Sequence, residues 1–335
     1  LRIGVVTSTA PLSQGLHRDL ARGLEAALRA HGHRVERILL PVAFGRDLLE
    51  QAWAFRAIAL TDNFDRIIAL RPPAHLVVHP HKVLWLSAHD GYGGVPAEDG
   101  AALRLAVADR TALLAADRVF ATSEAAAERW RQRAGLRPGV LPPPAPAPCL
   151  APAPAPGGRS ITALHPGPST ADAGLAEVTA ALRLTRPEVR VHFCGGANDP
   201  LVLEEIALRA AVLPPGRLLF DRDRPSPPWL AALMAEARAV LCLAADDDVA
   251  LACIDRAAAA GLPAIVNRDC PAAMERIVDG ETGIGIPLTD TRAIAAALDR
   301  LAAEPAWAAA MGEAAAQALA ARPGWDAVLD AMLGA

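Results

Sequence analysis

The sequence predicts a chain built from two doubly wound α/β domains, and three observations carry that prediction. Its 335 residues suit two domains of about 150 residues each. Both halves alternate short apolar runs with segments of helical period, the pattern of a parallel sheet covered on both faces. Between the halves lies LPPPAPAPCLAPAPAPGG, residues 141–158. Its alternating prolines exclude helix and central strand and leave an extended linker.

The first half opens on RIGVVT, an apolar strand, followed by the breaker-rich loop TAPLSQG. Leu16, Leu20, Leu24 and Leu28 then share one helical stripe. Gly32 closes that helix, and Val35 to Leu40 restarts as a strand. DRIIAL (65–70), KVLWLS (82–87) and RVFATS (118–123) are further strands, with helices over 101–115 and 124–134. After the linker, SITAL (160–164), VRVHFC (189–194), RLLF (217–220), AVLCL (239–243) and PAIVN (263–267) recur as buried strands between helices. Two such domains place a ligand cleft between the carboxyl ends of their strands. Trp130, Trp229 and Trp307 read as packing residues, and Ser123 as the cap of the helix that follows it.

With 33 basic and 37 acidic side chains, no bulk field recruits nucleic acid or an anionic membrane. Lys82 is the only lysine. Cys149, Cys194, Cys242, Cys253 and Cys270 form no C-x-x-C pair, and all but Cys149 sit in apolar runs, so they read as buried hydrophobes in a reducing compartment. No stretch of about 18 strongly apolar residues suggests a membrane span. LRIGVV begins directly as a strand, without a basic leader region, so a cytoplasmic location is expected. Peripheral attachment to the inner membrane stays open. The first loop, STAPLSQG, has one glycine where dinucleotide oxidoreductases need G-x-G-x-x-G, which excludes that class.

Three blocks carry a family resemblance: HPHKVLWLSAHD (79–90), ADRVFATSEAAAERWRQRAGLRPGVLPPP (116–144), and the run from LAADDD (243–248) to PLTD (287–290), with AAAAGLPAIVNRDCPAAMERIVDGETG inside it. In order and spacing they resemble the family 4 glycosyltransferases, especially the bacterial members. The resemblance implies two Rossmann-like domains facing each other across a cleft, the glycosyltransferase B architecture. On that reading residues 1–141 form the acceptor-side domain, 142–157 the linker and 158–324 the nucleotide-sugar domain. A last helix, 325–335, packs back on the first domain.

The implied activity is a retaining transfer of a hexose from a nucleoside-diphosphate sugar to a glycan or lipid-linked acceptor in polysaccharide biosynthesis. No cofactor and no metal are implied, and Asp246 and Asp248, although they read D-x-D, receive no metal role. The family's paired glutamates correspond to Asp247, facing the donor sugar, and Asp255, facing the ribose. Such carboxylates, two helical turns apart, would both serve a ligand at a helix N-terminus. His89 matches a histidine that contacts the donor sugar, so His89 and Asp247 are the catalytic candidates. Gly15, Gly195, Gly196, Arg222, Asp255 and Arg268 are the donor-binding candidates.

Departures from the family pattern are specific. Pro168 and Ala173 stand where an arginine and a lysine clamp the diphosphate, and Pro271 and Ala272 replace two glycines. Arg268, acting with a helix beginning at Pro271, is the expected substitute for the clamp. These departures keep open an alternative: a degenerate glycosyltransferase-like pseudoenzyme that supports a partner glycosyltransferase. A sugar-nucleotide epimerase of the same fold would need two acid/base groups in the cleft, and only His89 is in place.

Overall fold

A computed structural model describes residues 1–9, 16–42, 48–87, 100–146, 160–166, 174–195, 200–221, 223, 226–244 and 246–334. They form two compact units, Leu1–Pro144 with Pro323–Ala335, and Ala145–Arg322. Most of the Pro/Ala linker lies outside the described residues.

The first unit holds strands β1 (Arg2–Thr9), β2 (Arg34–Pro41), β3 (Arg66–Ala69), β4 (Lys82–Leu86), β5 (Arg118–Ala121) and β6 (Gly139–Val140) in one sheet of order β2-β1-β3-β4-β5-β6. All of its pairings are parallel. Period-2 burial sends alternate side chains to opposite faces. Ile3, Val5 and Trp85 pack under α1 (Leu16–Ala30) and α12 (Trp325–Leu333), whose Val328, Leu329 and Met332 are fully buried. Val6, Ile67 and Leu84 face α2 (Leu48–Arg56), α3 (Ala101–Leu114) and α4 (Glu124–Ala134), through Phe55, Leu105 and Trp130. Ser123 caps α4, its Oγ accepting from the Ala126 N–H at 3.1 Å.

One buried polar cluster ties this second layer together. Lys82 Nζ donates to the carbonyls of His75 and Val77 at 3.0 and 3.1 Å. His75 Nε2 lies 2.9 Å from Asp109 Oδ1, and Arg133 Nε donates to Asp109 Oδ2. Burial holds His75 below its usual range, so the ring is neutral at pH 7 and donates from Nε2.

The second unit contains β7 (Ile161–His165), β8 (Val191–Phe193), β9 (Leu218–Phe220), β10 (Ala237–Cys242), β11 (Ala264–Asn267) and β12 (Gly283–Ile286) in the order β12-β11-β10-β7-β8-β9, again parallel. On one face, α5 (Leu175–Leu182), α6 (Pro200–Ala211) and α10 (Thr291–Ala303) cover Ala163, Phe193, Leu241 and Ile265. The other helices packed on this sheet are α7 (Pro227–Glu236), α8 (Asp247–Ala259), α9 (Pro271–Met274) and α11 (Pro305–Ala320). Ala258 of α8 meets Ala315 and Leu319 of α11.

Two expectations need correction. Trp229 is 52% exposed, because it sits in the first turn of α7 behind a proline pair rather than on its buried stripe. The helix expected at Pro271 is a single four-residue turn, too short to sum a useful dipole.

Candidate active site

The strand order of the second unit reverses at β7, which pairs with β8 on one side and β10 on the other. Ligands of open α/β sheets bind outside the carboxyl ends of the strands at such a switch point. Here those ends are polar. His165 closes β7, buried, with its ring stacked on Phe193 at 4.8 Å between centroids. The Cys194 N–H donates to the His165 carbonyl, and buried Gly195 follows. Within β8, His192 Nε2 lies 3.1 Å from Oδ2 of Asp221, which follows β9.

Past β10 the chain turns into α8. Asp246 caps that helix, its Oδ1 accepting from the Val249 N–H at 3.0 Å. Asp247 and Asp248 occupy the first turn and are only 2% and 4% exposed. The N-terminal end of the helix macrodipole favours their charge. Cys270, from the turn after β11, donates its Sγ–H to Asp247 Oδ1 at 3.2 Å and so ties two strand ends together. Gly174, at φ +73°, begins α5 in a left-handed conformation. A Cβ there would lie 3.0 Å from Leu243 and Leu288, so glycine is required twice over.

Two thiols of this unit are held in the protonated, unreactive form. Burial, reinforced by the Asp221 charge, pushes Cys194 up to about 12. Burial and the neighbouring Cys253 likewise hold Cys242 well above its ordinary value. Among the described residues no group of three or more His, Cys, Asp or Glu could hold a metal ion.

Gly15, His89, Gly196 and Arg222 lie outside the described residues. Gly195 follows β8 and Asp247 follows the turn after β10, the two strands that flank β7. Asp255 does not join them. The Asp246 cap starts α8 at Asp247, so Asp255 falls in the third turn, about 12 Å along the axis at 1.5 Å per residue. There it accepts from Arg322 Nη1 at 2.6 Å. Arg268 follows β11, but its Nη2 donates to Asp279 Oδ2 at 2.5 Å, while Asp279 Oδ1 accepts from the Gly285 N–H on β12. Its guanidinium therefore braces the D-G-x-T-G turn. Sequence reasoning denied Asp248 a metal role, read Cys270 only as a buried hydrophobe, and did not single out His165 or Gly174. Gly174 was signalled by its place just before an apolar helical run, whereas Cys270 met Asp247 only through folding.

The first unit presents its own polar strand ends. Thr7 of β1, Ser87 after β4 and Thr122 after β5 are buried, and their hydroxyls have no hydrogen-bond partner among the described residues.

Both folded units match known proteins. Sucrose-phosphate synthase from Thermosynechococcus elongatus superposes with a TM-score of 0.72 at 18% identity, covering 97% of this chain and 96% of that one. A glycosyltransferase from Rickettsia africae gives 0.74 at 14% identity, covering 99% and 97%. Anabaena Alr3699/HepE, solved in complex with UDP, gives 0.71 at 16%, covering 100% and 99%. Among curated proteins none matches the chain. The fold is the glycosyltransferase B fold. Residues 164–318, just under half of the chain, match the model of the family Glycosyl transferases group 1.

Proposed function

We propose that the chain is a retaining hexosyltransferase that takes a nucleoside-diphosphate sugar as donor and a glycan or lipid-linked acceptor. One observation carries the reading: Asp247 is a buried carboxylate at the N-terminus of α8, at the switch point of the sheet and within the matched segment. A carboxylate so placed accepts hydrogen bonds from sugar hydroxyls, and the free N–H groups of the same helix end favour a phosphate. The likeness to HepE, solved with UDP and with UDP-glucose, supports a nucleotide sugar as donor. Gly195 and Gly196 are proposed to let the donor approach the main chain, and Arg222 is the cation proposed to neutralise the leaving diphosphate. His89 is proposed to contact the donor sugar, and the buried hydroxyls of Thr7, Ser87 and Thr122 in the first unit suit a polyhydroxylated ligand. No cofactor is required by this chemistry. The setting proposed is bacterial polysaccharide biosynthesis at the cytoplasmic face of the inner membrane; no helix among the described residues is long and apolar enough to cross a membrane.

Thermal-shift titration against UDP-, GDP- and ADP-sugars tests the donor. A ligand at 100 times its dissociation constant adds about 2.7 kcal/mol of stability. Asp247→Asn should leave the fold intact and cut transfer by a hundredfold or more. If no nucleotide sugar raises the melting temperature, the donor assignment fails.

The second reading, a pseudoenzyme supporting a partner transferase, is favoured by the engagement of Arg268 with Asp279 and by Pro168 and Ala173 at the clamp positions. Co-purification with an active transferase, with neither transfer nor donor hydrolysis by this chain, would establish it instead.

A further inference from the structure

The second unit contains a cavity of about 300 Å³ unrelated to its switch point. It lies at the amino-terminal ends of β11 and β12, lined by Leu262 and Ala264 on the sheet side, by α8 and by α11. That volume is at the lower end of small-molecule sites, which run from about 300 to 1,000 Å³. Its walls are aliphatic, with Ile254, Leu262, Ala315 and Leu319 among them.

The charged groups at its wall are unequally matched. Asp255 and Arg322 neutralise each other through their 2.6 Å contact, both mostly buried. Glu275 is solvent-exposed at the rim. Arg276 differs: its Nε and Nη2 are buried and meet no hydrogen-bond acceptor among the described residues. Desolvation depresses its pKa, but a guanidinium does not lose its proton in a protein. A buried donor left unsatisfied costs about 1–3 kcal/mol, and more on a charged group.

Nε and Nη2 form one edge of the guanidinium, the edge that grips a carboxylate with two parallel hydrogen bonds. Arg131 uses the same two atoms on Glu128, at 2.7 and 2.5 Å. We propose that this cavity binds a small carboxylate with a compact apolar body, its carboxylate on the Nε–Nη2 edge of Arg276 and its body against the aliphatic wall. A monoanion fits better than a phosphate dianion, because one guanidinium is left to balance it and the Asp255 carboxylate stands close by. The site is independent of the proposed donor site, since Asp247 is two turns away along α8.

Benzoate and its neutral isostere benzamide are the probes, titrated calorimetrically into the full chain with and without saturating donor nucleotide. Benzoate should bind in both conditions and benzamide at least tenfold more weakly. Arg276→Met, checked for folding by circular dichroism, should weaken benzoate by ten- to a hundredfold while leaving donor affinity unchanged. Arg276→Lys should keep the preference for benzoate over benzamide. Absence of benzoate binding to the wild-type chain, equal binding of the two isosteres, or undiminished binding to a folded Arg276→Met variant would each overturn the site. Because donor binding is read in the same titrations, failure of the donor assignment would be seen separately.

Discussion

Among single residues, Lys82 ties stability to pH. Burial, with a smaller contribution from Arg56, lowers its amine from 10.5 to about 8. The folded state therefore holds the proton less tightly than the unfolded chain does. The sign follows: the cost of the buried charge is present in full below pH 8 and is relieved as pH rises from 8 towards 10.5. Between pH 7.5 and 9.5 this group should add about 2 kcal/mol of stability, read from urea unfolding. Lys82→Met should lose this increment while leaving the His75 and Val77 carbonyls without their donor, and the difference between the two proteins' pH slopes isolates it from the opposing contribution of the buried thiols; an unchanged pH slope would contradict the assignment. Arg268 illustrates the opposite case. Its ion pair with Asp279 is half exposed, so Arg268→Ala should cost no more than about 1 kcal/mol. Turnover should stay within a few-fold of wild type, and a hundredfold loss would return Arg268 to the diphosphate.

At the scale of elements, helix beginnings decide the site. A carboxyl-to-N–H cap at Asp246 fixes where α8 starts, which puts Asp247 at the strand end and carries Asp255 into the wall of a different cavity. Asp246→Ala should cost about 1 kcal/mol and fray that first turn. Helix docking is equally exact in its demands. A Cβ at Gly312 of α11 would collide with the Gly261 carbonyl and lie 2.7 Å from its carbon, in the turn joining α8 to β11. Backbone cannot swing aside as a side chain does. Gly312→Ala should therefore destabilise the protein by about 1–3 kcal/mol despite the higher helix propensity of alanine, which thermal denaturation would measure. A rise in melting temperature would show that α11 can shift.

For the whole molecule, the chain leaves its first unit at Pro144 and returns to it at Pro323. Val328, Leu329 and Met332 are buried on that return, and Trp325 reaches Gly23 of α1. At roughly 1.5–3 kcal/mol for each buried side chain, α12 contributes on the order of 5–9 kcal/mol, comparable to the whole stability of a domain. Deleting 323–335 should abolish the calorimetric transition of the first unit and expose it to proteolysis while 145–322 resists. A truncated chain that melts as the full one does would refute this.

Local pattern was enough to place the strands, because apolar runs between helical stripes have few other solutions, and RIGVVT, KVLWLS and PAIVN each lie within a residue or two of their strand bounds. The block from LAADDD to PLTD was likewise enough for the family resemblance. Spacing along the chain could not say which charges meet. Asp247 and Asp255 share a motif but not a site, since the cap at Asp246, one residue before Asp247, set the helix start. Arg268 and Asp279, or Arg276 and its cavity, are brought together by strand pairing and helix docking, which depend on contacts remote in sequence. Burial settled the rest: it makes Lys82 a weakly held proton and leaves Arg276 Nε and Nη2 without an acceptor among the described residues, and burial belongs to the folded chain alone.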